Sequence, residues 1–383
     1  MMKNKIIPYG NHYIDKSDIR SITQSLKKRK ITTGSDVIKF EKKISSYTKS
    51  KYVSVCNSGT SALFLSLMSI NVKKDDIIIM PSINFVASYN ISKLLGAKIY
   101  LTDVNPKTGQ MEPKHIFECI KKHKISKIKA IIVMYNGGYP ENASKFISLK
   151  KNYACYIIED ACHALGASYM IKKKHYKIGS CKHADLSNFS LHPLKSITTG
   201  EGGLITTNSK ALDKKIKSFR SLGIFRKDPL KHWDYDVLNT GFNFRLTDFQ
   251  CALGISQLKK INTFIQHRKK IFYLYSQLLK DLNYIKLPEY NSNNSPAFHL
   301  FIISIKNFTL AKKEKLIKHM LKKRIILQFH YKPIYCFKTF DGKVSSKLNA
   351  EKYYNSNVSL PIYYGLSAKD ARYVVKNLKT FFE

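Results

Sequence analysis

Between about residue 50 and residue 210, short apolar runs rich in β-branched residues alternate with longer segments of helical periodicity. The apolar runs are Tyr52–Val55, Ile77–Met80, Lys98–Leu101, Ala130–Met134, Cys155–Ile158, Leu186–Phe189 and Leu204–Thr207. The helical segments between them are Ser61–Ile70, Val86–Leu95, Pro113–Lys122 and Ala143–Lys151. Continuous apolar strands separated by helices are typical of parallel sheets that are covered on both faces. The sequence therefore predicts an α/β fold with a mainly parallel seven-stranded sheet and helices on both faces.

A long helical pattern follows, from Thr247 to about Leu279, with Asp248 near the positive end of the helix dipole. Beyond it, two strands and two helices are predicted at His299–Ile305, Leu310–Lys322, Ile325–Tyr331 and Ala368–Phe382. The change from regular strand–helix alternation to this C-terminal pattern predicts a large domain over residues 1–250. A smaller C-terminal α+β domain over residues 251–383 would be entered through the long helix.

Composition narrows the class of protein. No apolar stretch is long enough to cross a bilayer, and the N-terminus lacks the pattern of a signal peptide. We therefore expect a cytoplasmic protein, without a membrane partner, whose seven cysteines are reduced thiols. None of these cysteines forms a C-x-x-C pair and the histidines show no ligand spacing near them, so no metal site is expected.

The net charge is unusually positive, since 66 Lys and Arg against 26 Asp and Glu give +40. Such a charge raises the possibility of nucleic-acid binding. The lysines, however, are spread over the whole chain in short clusters at predicted helix ends and loops, as on a solvated surface. We therefore expect no nucleic-acid partner, although a basic surface would attract a substrate that carries a diphosphate.

The first candidate for chemistry is Cys56-Asn57-Ser58-Gly59-Thr60-Ser61, between a predicted strand and a predicted helix. Free backbone N–H groups and hydroxyls at a helix N-terminus can bind a phosphate. The same residues also make a good helix cap, so both interpretations stay open.

The second is Ile157-Ile158-Glu159-Asp160-Ala161-Cys162-His163, where a buried strand ends in two carboxylates. Such a pair could bind a metal, form a buried ion pair, or face a cationic ring. A carboxylate beside a pyridinium nitrogen favours its protonated form, which an electron-sink cofactor requires. His163 follows closely enough to reach the same ring.

The third is the segment from Ser190 to Gly203, which contains Lys195 and the turn Thr198-Thr199-Gly200-Glu201-Gly202-Gly203. Lys195 follows a strand by five residues, counted from Ser190. A desolvated lysine at this place could be partly neutral and form a Schiff base. The alternative is a surface loop lysine, which the composition of the chain favours.

In this order, the three motifs resemble the DegT/DnrJ/EryC1/StrS aminotransferases, the sugar-nucleotide branch of the fold type I pyridoxal-phosphate (PLP) transferases. The resemblance covers almost the whole chain. It also includes Ile31-Thr32-Thr33-Gly34, Pro81-Ser82-Ile83-Asn84-Phe85-Val86-Ala87 and Gly241-Phe242-Asn243-Phe244-Arg245-Leu246-Thr247-Asp248. It implies a homodimer with shared active sites, PLP as the cofactor and pyridoxamine phosphate between the two half-reactions.

The resemblance also implies roles for individual residues. Lys195 would hold PLP as a Schiff base and then move the proton, and Asp160 would pair with the pyridine nitrogen. Phe85 would stack on the ring, and His163 would lie near the phenolic oxygen. The phosphate would be held by Gly59, Thr60, Ser61, Ser190 and, from the neighbouring subunit, Asn243. The candidate substrate contacts are Thr33, His192, His330 and Tyr331.

Within the family, His330-Tyr331-Lys332-Pro333-Ile334-Tyr335 resembles a subgroup that aminates C4 of a UDP-linked 4-keto-6-deoxy-N-acetylhexosamine. L-glutamate is the amino donor in this pseudaminic-acid-type pathway. Two stretches, Met134–Pro140 and Lys227–Asn239, depart from the subgroup and are candidates for the border of the sugar pocket. A GDP- or dTDP-linked 4-keto-6-deoxyhexose is therefore the alternative substrate.

Two other functions are disfavoured. A PLP-dependent sugar dehydratase of one type replaces the lysine with histidine, and another holds an iron–sulfur cluster. This chain has Lys195 and no cysteine cluster. A non-catalytic protein, such as a basic nucleic-acid binder, would not need both Asp160 and Lys195.

Overall fold

The computed structural model describes residues 5–228, 230–231 and 233–383. Its helices are α1 (Lys16–Leu26), α2 (Ser35–Thr48), α3 (Gly59–Ser69), α4 (Ala87–Leu94), α5 (Pro113–His123), α6 (Ile147–Tyr153), α7 (Lys210–Arg220), α8 (Asp248–Leu279), α9 (Leu310–Lys322), α10 (Leu348–Ser356) and α11 (Ala368–Lys379). Its strands are β1 (Tyr52–Cys56), β2 (Ile77–Pro81), β3 (Lys98–Thr102), β4 (Ala130–Met134), β5 (Tyr156–Asp160), β6 (Ser168–Ile171), β7 (Lys174–Lys177), β8 (Leu186–Ser190), β9 (Gly203–Thr207), β10 (Ile224–Phe225), β11 (Asp236–Val237), β12 (Ile285–Lys286), β13 (Phe301–Ile305), β14 (Lys343–Val344) and β15 (Asn357–Leu360).

Within those ranges, the main sheet has eight strands in the order β1-β9-β8-β5-β4-β2-β3-β14. Strand β9 is antiparallel to both of its neighbours, and the other pairs are parallel. The seven predicted strands are confirmed, but the predicted number was one too low. The eighth strand, β14, pairs with β3 and has only two residues, so it is too short to be predicted from an apolar run in the sequence.

Helices cover both faces of the sheet, as predicted. In β4, Ile131 and Val133 pack into a core that includes Phe40 of α2. Ile132 points to the opposite face and packs into a core that includes Leu65 of α3. Successive side chains of a strand alternate between faces, so a strand with helices on both sides is apolar throughout. All residues of β4 are accordingly buried.

The long helix α8 begins where the sequence predicts. Thr247 is its N-cap and forms a capping box with Gln250. Downstream, β12, β13 and β15 form an antiparallel sheet of three strands within the described residues. Helix α9 has the predicted bounds, and α11 ends at Lys379, before the predicted Phe382.

The predicted strand Ile325–Tyr331 is wrong. Ile325 and Gln328 form only isolated bridges, each to a different partner, Ile7 and Ser359. Ile325 and Leu327 are buried in the core, so packing of alternate side chains replaces a continuous ladder as the source of stability. No helix in the described ranges combines the length and apolarity needed to cross a bilayer.

Candidate active site

The main cavity, of about 490 Å³, opens at the edge where the parallel strands end. Met134, Asp160 and Ser190 are the last residues of β4, β5 and β8, and all three line it. In open α/β sheets, ligands bind at this edge because the loops that leave neighbouring strands converge there. The sheet therefore brings together side chains that are far apart in the sequence.

One wall of the cavity is the N-terminus of α3. Ser58 is the N-cap, and its hydroxyl accepts a hydrogen bond from the Ser61 N–H at 3.0 Å. The hydroxyl oxygens of the two serines are 2.9 Å apart, so Ser61 belongs to the cap and does not line the cavity. Gly59 and Thr60 do line it. A Cβ atom on Gly59 would lie 2.8 Å from the Ser190 Cβ, so only glycine permits this close approach. The result is a narrow cradle of N–H groups and hydroxyls that fits a phosphate.

The two carboxylates at the end of β5 point to opposite faces. Asp160 is buried at the cavity, and its carboxylate accepts hydrogen bonds from the Ser88 hydroxyl at 3.1 Å and the Cys162 N–H at 3.4 Å. Glu159 instead accepts from the hydroxyls of Tyr135 and Ser187, and burial raises its pKa. This separation excludes a carboxylate pair acting on one ligand. Among the residues described, no group of three His, Cys, Asp or Glu side chains could hold a metal ion.

Lys195 lies in the wall of the cavity and not on the open surface. The backbone N–H of Lys195 donates a hydrogen bond to the His192 carbonyl at 2.9 Å, within the turn after β8. Desolvation holds the pKa of its ammonium group below the usual value, against the nearby Cys162 and Asp160, which raise it. The buried Arg268 guanidinium further lowers this pKa. The neutral amine is therefore favoured more than in an exposed lysine.

Three histidines cluster beside Lys195. The rings of His163 and His299 have centroids 4.3 Å apart, and those of His163 and His330 are 6.1 Å apart. Burial lowers the pKa of all three, well below the usual range for His163 and His299 and to about 3 for His330. The charge of Lys195 acts in the same direction on each of them. All three rings are consequently neutral at pH 7.

The two candidate residues of the C-terminal segment also reach the cavity. The Tyr331 hydroxyl oxygen is 2.9 Å from His163 Nε2, and its ring is 5.8 Å from that of Phe85 at the cavity mouth. His330 lines the cavity and its Nδ1 is 2.8 Å from the Ser359 hydroxyl. His192 lines the cavity as well.

Besides Ser61, two predicted site residues do not line the cavity. Thr33 is exposed outside the cavity, and so is Asn243, which bridges to Ser221. Asn243 was expected to act in the site of a neighbouring subunit, so its place in its own chain does not test that role. Met134 borders the cavity as expected for its stretch, whereas no described residue of Lys227–Asn239 does. Within that stretch, Pro229 and His232 lie outside the described residues.

Several residues that line the cavity had not been predicted to do so. They include Tyr9, Asn84, Cys162, Glu201, His299, Phe329 and Phe337. Cys162 and Glu201 belong to motifs that were recognised, so adjacency could have found them. Tyr9 and His299 come from distant parts of the chain and carry no local signal.

This fold and cavity are those of a PLP-dependent sugar aminotransferase. The chain belongs to the DegT/DnrJ/EryC1/StrS aminotransferase family, whose model matches residues 12–379. Members of this family depend on PLP, so the cofactor expected from the sequence is confirmed, as are the fold class and the enzyme class.

The relatives to which this chain is similar align with nearly all of its length. It is 35% identical over 384 residues to a UDP-4-amino-4,6-dideoxy-N-acetyl-beta-L-altrosamine transaminase of Campylobacter jejuni, covering 99% of this chain and 98% of the relative. It is 29% identical over 350 residues to a GDP-perosamine synthase of Escherichia coli O157:H7, covering 91% of each. Among solved structures, it matches Helicobacter pylori PseC, an aminotransferase in the biosynthesis of pseudoaminic acid, with a TM-score of 0.89, 29% identity and 99% of both chains covered.

Proposed function

We propose that this enzyme transfers an amino group from L-glutamate to C4 of UDP-2-acetamido-2,6-dideoxy-hexos-4-ulose. The product would serve a bacterial surface glycan of the pseudaminic-acid type. The observation that carries the proposal is the 35% identity to the altrosamine transaminase over 99% of the chain. The cavity supports it, because Lys195, Asp160 and the α3 cradle line one space.

The cradle at α3 would hold the cofactor's phosphate through Gly59 and Thr60, with the Ser190 hydroxyl opposite. Asp160, already fixed by Ser88, would pair with the pyridine nitrogen and keep it protonated. Lys195 would hold the cofactor's aldehyde carbon. When bound, PLP supplies an electron sink for the electron pair released at the carbon that carries nitrogen.

Lys195 would also move the proton in each half-reaction. When it is not bound to the cofactor, its Nζ would be placed to take a proton from the substrate carbon that carries nitrogen and to return it later in the half-reaction. Desolvation lowers the pKa of Lys195, which favours the neutral Nζ that can accept this proton.

The same proposal includes a homodimer in which Asn243 of each subunit reaches the partner's phosphate cradle. The segment 222–242 exposes Leu230, Trp233 and Leu238, which are 86%, 68% and 58% accessible. Large apolar side chains grouped on one segment are typical of a surface that binds another protein. We further propose that residues 1–250 and 251–383 form the large and small domains.

The test begins with the absorption spectrum of the purified protein with PLP, before and after L-glutamate. We expect a visible band that L-glutamate removes as 2-oxoglutarate is released. Lys195→Ala should lack this half-reaction, and replacement of the exposed Lys315 by alanine should retain it. Without a visible band in the wild type, the proposed function is wrong.

The second step compares acceptors. We expect the UDP-linked 4-keto sugar to have a kcat/KM at least about tenfold above that of a GDP-linked 4-keto-6-deoxyhexose, with ping-pong kinetics. The similarity to GDP-perosamine synthase makes the GDP-linked sugar the second candidate. The reverse preference would replace the first proposal by the second.

A further inference from the structure

A hydrogen-bond chain with a fixed direction runs from Gly137 through His163. Gly137 lies in a short 3-10 turn after β4, and its N–H donates to His163 Nδ1 at 3.3 Å. A backbone N–H can only donate, so Nδ1 must be the unprotonated acceptor. Because burial keeps the pKa of His163 well below the usual value, the ring is neutral and carries its single hydrogen on Nε2.

The chain continues to Tyr331. His163 Nε2 lies 2.9 Å from the Tyr331 hydroxyl oxygen, and since Nε2 bears the hydrogen, it donates to that oxygen. Burial raises the pKa of Tyr331 well above the usual value, so the hydroxyl keeps its own hydrogen. That hydrogen cannot be directed at His163. Tyr331 lines the cavity, which is where an acceptor can reach it.

Each end of this hydrogen-bond chain is fixed by a further hydrogen bond. The Gly137 carbonyl accepts from the His299 N–H at 3.0 Å, which fixes the turn. The buried Tyr353 hydroxyl donates to the His330 carbonyl at 3.0 Å, which fixes the residue before Tyr331. Tyr353 is not among the residues that line the cavity.

We infer that the Tyr331 hydroxyl donates a hydrogen bond to an oxyanion in the cavity, and that His163 is a positioning residue acting through Tyr331. This inference rests on the proposed function, which supplies two sources of the oxyanion. One is the phenolate oxygen of the cofactor, and the other is the carbonyl oxygen of the keto sugar as charge develops on it. His163 was expected near the phenolic oxygen, but its Nε2 hydrogen is already used in the hydrogen bond to Tyr331.

The first arm of the test needs no substrate. The absorption of the bound cofactor is followed against pH in the wild type, Tyr331→Phe and Tyr353→Phe. If the oxyanion is the phenolate, loss of its donor in Tyr331→Phe raises the pH of the spectral transition by about one unit. Tyr353→Phe also removes a buried hydroxyl from this region, but it should leave the transition in place.

The second arm measures the two half-reactions in single turnovers, with L-glutamate and then with the UDP-linked 4-keto sugar. If the oxyanion belongs to the sugar, the spectral transition stays in place and the sugar half-reaction of Tyr331→Phe slows about tenfold, as one lost hydrogen bond predicts. The glutamate half-reaction should then change less than about twofold.

His163 is tested by coupling. His163→Leu should reproduce the effect of Tyr331→Phe, and the double variant should add nothing further, because both act on one hydroxyl. His163→Gln retains an N–H donor and should rescue most of the loss.

Additive effects would overturn the inference. The inference would also be overturned if Tyr331→Phe had the same spectral transition and the same half-reaction rates as the wild type. It would be overturned as well if Tyr353→Phe changed these quantities as much as Tyr331→Phe does. If the wild type binds cofactor and reacts with L-glutamate but rejects the sugar, only the proposed acceptor fails, and the first arm and the coupling then decide.

Discussion

The carboxylate of Asp248 accepts a hydrogen bond from the backbone N–H of Gly34 at 2.7 Å, across 214 residues of sequence. Its second oxygen accepts from the Asp36 N–H at 2.9 Å. Gly34 is the N-cap of α2 and has no side chain to satisfy these donors, so Asp248 caps α2 from the first turn of α8.

We therefore expect Asp248→Ala to lower the free energy of unfolding by about 2–3 kcal/mol, because two buried N–H groups lose a charged acceptor. Asp248→Asn keeps one acceptor oxygen and should lose less. Urea unfolding measures the change. The exposed Asp281→Ala is the control, expected within about 0.5 kcal/mol of the wild type. Equal losses at the two positions would contradict the capping role.

Gly137 has φ of +75°, and a Cβ atom there would lie 2.6 Å from Tyr139 Cε2. Gly365 has φ of +92° with nothing within 4 Å of such an atom. Alanine at either position carries backbone strain of about 1–2 kcal/mol. Gly137→Ala should lose a further 1–3 kcal/mol, roughly, from overlap. It should also weaken PLP binding in an absorbance titration, since a shift of the turn would move the backbone N–H of residue 137 away from His163 Nδ1. Gly365→Ala should bind PLP normally, and equal behaviour of the two variants would refute this.

The neutral histidines predict sensitivity to acid. Burial holds the pKa of His163, His299 and His330 below the value of 6.5 in an unfolded chain. Below pH 6.5 the unfolded chain therefore binds more protons than the folded one, and stability falls as the pH is lowered. Each histidine contributes up to about 1.4 kcal/mol per pH unit.

Denaturant unfolding between about pH 7 and about pH 5 measures this slope. His299→Gln should reduce the slope by up to one histidine's contribution, and replacement of the exposed His12 by glutamine should leave it unchanged. If the free energy of unfolding has the same slope against pH in both variants, protonation of His299 does not destabilise the fold.

Lys313 predicts a pH dependence of the same sign, but in the alkaline range. Its Nζ lies 4.1 Å from the ring centroids of both Phe329 and Tyr354, and burial lowers its pKa from 10.5 to about 8. Between these values the unfolded chain holds more protons, so stability rises with pH. Relative to Lys313→Met, the wild type should gain about 1–3 kcal/mol from pH 8 to about pH 10 in unfolding experiments. Replacement of the exposed Lys315 by methionine should give no such pH-dependent difference from the wild type.

The seven long strands could be predicted because each is an apolar run buried on both faces. Asp160 and Ser190 could be placed at one edge because both end parallel strands, and parallel strands end together. Lys195 follows in the turn. Local pattern and sheet geometry were sufficient for this part of the cavity.

The remaining cavity residues depend on contacts between residues that are distant in the sequence, and local periodicity does not reveal such contacts. Tyr9 reaches the cavity because Ile7 pairs with Ile325. His299 precedes β13 and had been assigned to that strand, yet its ring lies tilted against that of His163, with the centroids 4.3 Å apart. The Ile325–Tyr331 segment has the composition of a strand, but its tertiary surroundings give it cavity-facing side chains instead.

Strand β14 also has a consequence for the newly made chain. The outer edge of β3, complete at Thr102, receives its partner only when Val344 has been synthesised. At ordinary rates of translation that interval is roughly 10–50 s. An unpaired strand edge is a template for pairing with other chains. The ribosome-bound intermediate is thus open to aggregation on the side that β14 eventually closes, and Ile7 waits longer still for its partner Ile325.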